Sequence, residues 1–445
     1  MREITTFIWL LNNRYGNGRT QMYIAFASDP SAAPTLADSF ANKLWTGNDG
    51  TNAISGLGFQ PSFVWIKRRV SGSESHALYD MLRGINEQLS SDSTAAQILN
   101  TAPNEGFSSF DTDGFTLGNN GGTNRAPNTY VGWSWKANSI PTINTDGTIQ
   151  SIVSANANAG MSIVKYTGNG VNGSTVGHGL GVAPEMMIIK SLSSVLFWAI
   201  YNKYNTGSSG NPATERLKLP TNLASATTTI YWDSTEPGAS VFTIGTDTDV
   251  NTNNDEFIAY CFTSISGFSK MGSYVGNATN NRAITGLGFQ PDFVMLKNTA
   301  SSTTFWSIFD SSRGGSLALF PNSNQAEANE TGVFVSLDSD GFTVNQEATA
   351  NGNGNTIIYM AFKENPTPYP LAGNMSFLVI AGGASGAVAH GGGGGAGGLR
   401  TSYGSTSGGG SSAESDITLA AGTYTITVGA GGGGATSGGS NVSGK

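Results

Sequence analysis

The hexapeptide Gly-Leu-Gly-Phe-Gln-Pro occurs at residues 56–61 and again at 286–291, and a degraded copy, Gly-Leu-Gly-Val-Ala-Pro, lies between them at 179–184. A chain carrying one element three times is built from one unit three times. Each copy runs into an apolar, lysine-terminated stretch: Phe63-Val64-Trp65-Ile66-Lys67, Met186-Met187-Ile188-Ile189-Lys190 and Phe293-Val294-Met295-Leu296-Lys297. About seventy residues after each proline a second apolar run closes the unit, Tyr130–Trp133, Phe257–Tyr260 and Tyr359–Phe362. Ahead of each copy stands an aromatic residue followed by Gly-Asn, at Trp45–Asn48, Tyr166–Asn169 and Tyr274–Asn277, which reads as a strand entering a turn.

The order of these markers divides the chain into modules at 39–137, 161–263 and 268–363, with 138–160 as an extended Ser/Thr/Asn-rich spacer. Residues 264–267 are too few for independent motion. Residues 364–373 form a proline-rich joint and 374–445 a glycine-rich domain. Residues 1–38 parallel the end of a module: Asn17–Phe26 matches Asn353–Phe362, so the chain opens on a closing strand plus linker, expected to pair with a sheet edge in its own or a neighbouring chain. The apolar stretch Phe7–Leu11 is too short for a secretory core or a membrane span.

Strand signals dominate each module. Val, Ile, Phe, Trp, Tyr and Thr fill short runs bounded by Gly, Asn, Asp, Ser and Pro. Asp113-Gly114 and Asp340-Gly341 between aromatic strands mark hairpins. The leucines and alanines of Ala77–Leu99 are the exception and suggest a short helix or an irregular lid. The fold class expected is all-β: tandem antiparallel β-sandwich modules, jelly-roll and lectin-like, followed by a glycine-rich β or polyglycine domain. In that last domain Met375–Ala381 and Gly422–Val428 read as strands around glycine runs that lack the collagen period.

Charge limits the partners. A net charge of −8 with 22 lysines and arginines, none clustered, disfavours nucleic acid, whose binding neutralises phosphates with basic residues. Cys261 stands alone in a closing strand and is expected to be buried and inert. Gly429, Gly431 and Gly434 meet the dinucleotide spacing by chance, since no crossover helix or distant acid follows. His76, His178 and His390 lie in three separate segments, which disfavours a triad or a zinc cluster. No cofactor is expected. Asp111 with Asp113, and Asp338 with Asp340, are weak calcium candidates that turn geometry also explains. Asp247, Asp249, Asn251, Asn253 and Asp255 alternate like a calcium loop but lack its glycine and its final acid, and read as an exposed polar hairpin. Most tryptophans lie in strand runs and are expected in the core. Trp232 with Asp233, and Tyr403, are the nominees for stacking on and hydrogen bonding to a glycan.

The aromatic-Gly-Asn, GLGFQP and DGFT elements together resemble modules of tail fibre and other structural proteins of tailed bacteriophages, over roughly residues 40–363. The tail is similar to the glycine-rich domain of phage tail fibres: Leu378-Val379-Ile380-Ala381-Gly382-Gly383 leads into Gly391–Gly398 and later Tyr424-Thr425-Ile426-Thr427-Val428. The middle module departs from the pattern, lacking Phe-Gln and any Asp-Gly-Phe. The resemblance implies a non-enzymatic virion protein, a tail fibre or similar appendage on the tail or outer surface, extracellular and without membrane insertion. It also implies a homotrimer that contacts other virion proteins and a host-surface glycan or protein. A capsid-surface decoration protein, a cellular surface adhesin and a glycan-depolymerising tail enzyme are the alternatives.

Overall fold

The computed structural model describes residues 39–364, apart from 71–73, 101–105, 138–139 and 208, together with 374–375, 378–380, 399–401, 412 and 417–418. The closing-strand match at Asn17–Phe26 therefore lies outside the described residues. Contacts divide the chain into a unit ending at Asn365 and a second from Pro366 onward.

The strand pairs of the first unit are antiparallel. Its three modules share a four-strand frame. In the first module, Phe40–Thr46 and Phe63–Arg68 flank Thr129–Trp135, and Ala77–Asp80 pairs outside Phe63–Arg68. The same frame recurs as Met161–Thr167, Glu256–Phe262, Met186–Ser191 and Trp198–Asn202, then as Ser269–Val275, Thr356–Phe362, Phe293–Asn298 and Ser307–Asp310. Register is equivalent in all three. Phe63 pairs with Trp135 and Asp80, Met186 with Phe262 and Asn202, and Phe293 with Phe362 and Asp310.

Each lysine-terminated strand is buried along its whole length, which explains why its sequence is apolar without alternation. One face packs on the module's own smaller sheet and makes a sandwich core. In the third module this sheet is Arg282–Thr285, Gly341–Val344 and Phe334–Asp338, over Val294, Leu296 and Phe309. The opposite face joins one cluster common to all modules, including Phe63 and Trp65, Met186 and Ile188, Phe293 and Met295. At its centre the last aromatics of the three closing strands meet: Trp135, Phe262 and Phe362 have ring centroids 5.7–6.3 Å apart. The modules thus clasp a shared core with pseudo-three-fold order.

The repeated motifs are halves of single joints. The N–H groups of Gly56 and Gly58 donate to the Asp113 carboxylate at 3.0 and 2.6 Å, and those of Gly286 and Gly288 to Asp340 at 3.0 and 2.7 Å. Both glycines of each pair have φ near +80°, where L side chains are strained. A Cβ on Gly114 would sit 1.9 Å from the Ile54 carbonyl oxygen, so the residue after the aspartate must also be glycine. The Gly-Asn turn is closed by a buried asparagine five positions ahead of each closing strand. The side-chain oxygens of Asn124, Asn251 and Asn351 accept from the N–H of Asn48, Asn169 and Asn277.

Three expectations are corrected. Ala77–Leu99 is neither helix nor lid: Ala77–Asp80, Gly84–Leu89 and Ile98–Leu99 extend the main sheet, because pairing with Phe63–Arg68 overrides a chance helical spacing. The spacer 138–160 holds strands Thr142–Asn144 and Ser151–Asn156, which add to one edge of the second module's sheet, eight strands in all with Glu215–Leu219 and Ala226–Thr227 at the other. The Asp247–Asp255 stretch is not a hairpin. Asp247 caps a four-residue helix, Thr248–Asn251, and Asp249 is buried in an ion pair with Lys218.

Beyond residue 366, Asn374–Met375 pairs with Ile417–Thr418 and Leu378–Ile380 with Leu399–Thr401, both antiparallel. The second strand expected there, Gly422–Val428, lies outside the described residues. Among the described residues no helix is long and apolar enough to cross a membrane.

Candidate functional site

The nominated aromatic is not available to a glycan. Trp232 is 1% exposed and its indole N–H donates to the Glu215 carbonyl at 3.0 Å, because a flat apolar ring preceding a turn is worth more in the core than at the surface. Asp233 follows it with φ +48° and accepts from the Asn172 amide at 2.7 Å. Tyr403 lies outside the described residues, as does His390.

The calcium candidates are occupied by protein donors. Asp113 and Asp340 hold the glycine N–H groups, which keep both carboxyls below the ordinary aspartate range. Asp111 accepts from Ser109 and Thr116 hydroxyls at 2.6 and 2.7 Å, and Asp338 from Ser336 and Thr343 at 2.7 and 2.6 Å. Among the described residues no group of three or more His, Cys, Asp or Glu side chains is placed to hold a metal ion. Cys261 is buried, and burial pushes its thiol up to about 12.

The structure instead concentrates polar chemistry at the three junctions between modules, which close in a ring. Two residues beyond each lysine a carbonyl accepts an N–H from another module's loop. Gln97 donates to Leu192 at 3.1 Å, Ser225 to Thr299 at 2.7 Å and Glu327 to Arg69 at 2.9 Å. First module grips second, second grips third, and third grips first. The lysines themselves are buried against carbonyls, Lys67 on Glu74 and Asn324, Lys190 on Ser191 and Ser194, Lys297 on Asn222, Ser301 and Thr304. Burial pushes all three ammonium groups down to about 8.

A ring nitrogen sits beside each lysine. His76 accepts the Trp65 indole N–H on Nδ1 at 2.9 Å, which leaves Nε2–H to donate to the Phe320 carbonyl at 2.9 Å. Trp198 at the equivalent position donates to the Ser90 carbonyl at 3.1 Å. The indole N–H of Trp306, the third, has no hydrogen-bond partner among the described residues.

The strongest element is a buried Asp–Arg pair. Asp310 and Arg313 meet at 2.6 Å with both side chains fully buried, and Asp80 and Arg83 at 2.5 Å likewise. Each aspartate also accepts a hydrogen bond from a neighbouring module's closing strand. Trp133 donates to Asp310 at 2.9 Å and Tyr260 to Asp80 at 2.7 Å. In the second module the pair becomes Asn202 and Asn205, and the matching closing-strand position is Met360, which has no proton to donate. Acceptor and donor change together. The junction of first and third modules, which no linker joins directly, is reinforced further by Arg69, bidentate on Glu327 at 2.9 Å through each nitrogen.

The signal for this network was in the sequence as Tyr79-Asp80-x-x-Arg83 and Phe309-Asp310-x-x-Arg313 at one offset from the two GLGFQP copies. Only burial distinguishes it from surface charge.

A search of curated proteins finds no match to the chain. Residues 35–366 match the family described as a domain of unknown function, DUF7483, over a span that takes in all three modules and their junctions. The chain therefore belongs to the DUF7483 family.

Proposed function

We propose that the protein is a non-enzymatic structural and recognition protein of a phage particle, a tail fibre or similar appendage exposed on the virion. One observation supports this reading above the others: the repeated motifs and the buried ionisable groups are built into joints that hold three modules as one block, the use a mechanical body makes of them. In this reading the block is the body, and the glycine-rich segment from residue 374 supplies contact with a host-surface glycan or protein. Association into a homotrimer multiplies weak contacts into avidity.

Immunogold electron microscopy of particles, with antibody raised against residues 39–364, tests it. Label on the tail or its appendages is the expected result. Label over the capsid shell moves the assignment to surface decoration, and label confined to host cells, or none on particles, overturns it. Release of reducing ends from host polysaccharide by the purified chain overturns its non-enzymatic part.

A further inference from the structure

The second module carries a buried ion pair that the shared frame does not require. Lys218 Nζ lies 2.8 Å from Asp249 Oδ2, with the side chains 14% and 4% exposed. Asp249 is the second residue of helix Thr248–Asn251. The matching helix of the third module, Ala348–Asn351, has Thr349 at that place and still presents its buried asparagine, Asn351, to the Gly-Asn turn. Charges are costly to take out of water, so a buried pair with no counterpart in the sister module is poorly explained by stability alone.

Its surroundings suit a condensation. The Phe197 N–H donates to Asp249 Oδ1 at 3.0 Å, and the Tyr231 hydroxyl donates to Oδ2, the oxygen that Lys218 also holds. One oxygen is thus kept as a carbonyl oxygen with a donor ready for negative charge, and the other has two proton donors, as a leaving group needs. Aromatic faces cover the amine, with the ring centroid of Phe197 4.3 Å and that of Tyr231 5.6 Å from Nζ. Asp247 stands beside the pair, its Oδ1 accepting the Asp249 N–H at 2.9 Å. Burial foremost holds the Asp247 carboxyl above the ordinary aspartate range, which fits it to carry a proton.

We propose that Lys218 and Asp249 condense into an intramolecular isopeptide bond. The ion pair already holds every atom of the products. One proton passes from Nζ to Oδ2, the freed lone pair attacks Cγ, and the charge that develops on Oδ1 meets the Phe197 N–H. A second Nζ proton, relayed through Asp247, leaves with Oδ2 as water while Oδ1 returns to a carbonyl. Nζ keeps one hydrogen in the amide, and no oxidant or cofactor is consumed. The bond ties strand Glu215–Leu219 to the helix ahead of closing strand Glu256–Phe262, and the closed loop removes entropy from the unfolded chain. The proposal stands independently of the appendage reading.

Mass spectrometry of the full chain, intact and after trypsin, tests it. The purified protein is expected to weigh one water less than its sequence, and residues 217–270 to emerge as one looped peptide uncut at Lys218. Lys218→Arg keeps the charge pair but offers no primary amine, and is expected to restore the full mass. Asp247→Asn is expected to slow bond formation about tenfold or more, read as the fraction of chains still at full mass with time after synthesis. A wild-type chain at full mass overturns the proposal. A deficit that survives Lys218→Arg also overturns it, assigning the lost water to a succinimide at an Asp-Gly step. A rate unchanged by Asp247→Asn overturns the relay.

Discussion

At the residue scale, the chemistry worth testing is buried. Asp310 pairs with Arg313 at its Nε and accepts from Trp133, so Asp310→Ala leaves a buried guanidinium whose remaining carboxylate is Glu327 at 3.3 Å, itself shared with Arg69. The expected loss is about 3–5 kcal/mol, read from the denaturant midpoint. Asn202→Ala at the equivalent position removes no charge, and its expected loss is below about 2 kcal/mol. Equal losses would show that the ion pair is not what distinguishes the junctions. His76 makes the same region pH-sensitive. Burial foremost, and then the Lys67 charge, hold its pKa well below the free value. A base depressed in the folded state takes up its proton first in the unfolded chain. Its contribution to stability is therefore full above about pH 6.5 and falls as pH drops below that toward the folded value. Stability measured between pH 7 and 5 is expected to fall, and His76→Gln to flatten that slope. An unchanged slope would assign the acid sensitivity elsewhere.

At the element scale, the GLG turn and the Asp-Gly hairpin form one joint. Gly114→Ala drives a methyl against the Ile54 carbonyl of the paired strand, so the two strands must separate. Gly181→Ala meets only the left-handed backbone, φ +72°, with nothing within 4 Å of the new methyl. The second change is expected to destabilise by about 1–2 kcal/mol, and the first by several times that. Thermal unfolding of the two variants compares them directly, and similar shifts would mean that the hairpin yields without strain. The middle module holds its GLG turn differently, the Leu180 N–H donating to His178 Nδ1 at 3.2 Å, which is why it dispenses with Asp-Gly-Phe.

At the scale of the whole molecule, a core shared by all three modules sets the cooperativity. A single module cut from the chain exposes the inner face that carries Phe63, Met186 or Phe293, and by area alone each such side chain forfeits about 1.5–3 kcal/mol. Residues 39–364 are expected to unfold in one transition by fluorescence and circular dichroism together, and 161–263 alone to lack a cooperative transition. Separate transitions in the longer fragment would show that the modules fold independently. Association is expected to reside in the glycine-rich segment, whose few large side chains cannot offset about 1–2 kcal/mol of backbone entropy per ordered residue without neighbours. Sedimentation is expected to give a trimer for the full chain and a monomer for residues 1–365. A monomeric full chain overturns that expectation.

What the sequence by itself determined is local. Strand identity followed from composition, and the three modules from recurrence of GLGFQP with its lysine strand and closing strand, because glycine φ and side-chain alternation act over a few residues. Burial on both faces was also legible, in the unbroken run from Phe63 to Lys67. What only the tertiary structure decided is which groups meet. Trp232 looked like a sugar platform until the core buried it and the Glu215 carbonyl accepted its indole N–H. Ala77–Leu99 looked helical until the edge of Phe63–Arg68 claimed it, and 138–160 looked like a spacer until it extended a sheet. The matching of Trp133 with Asp310, of Tyr260 with Asp80 and of Met360 with Asn202 joins positions up to 180 residues apart. Such partners are chosen by the closure of the ring, and no spacing along the chain encodes it.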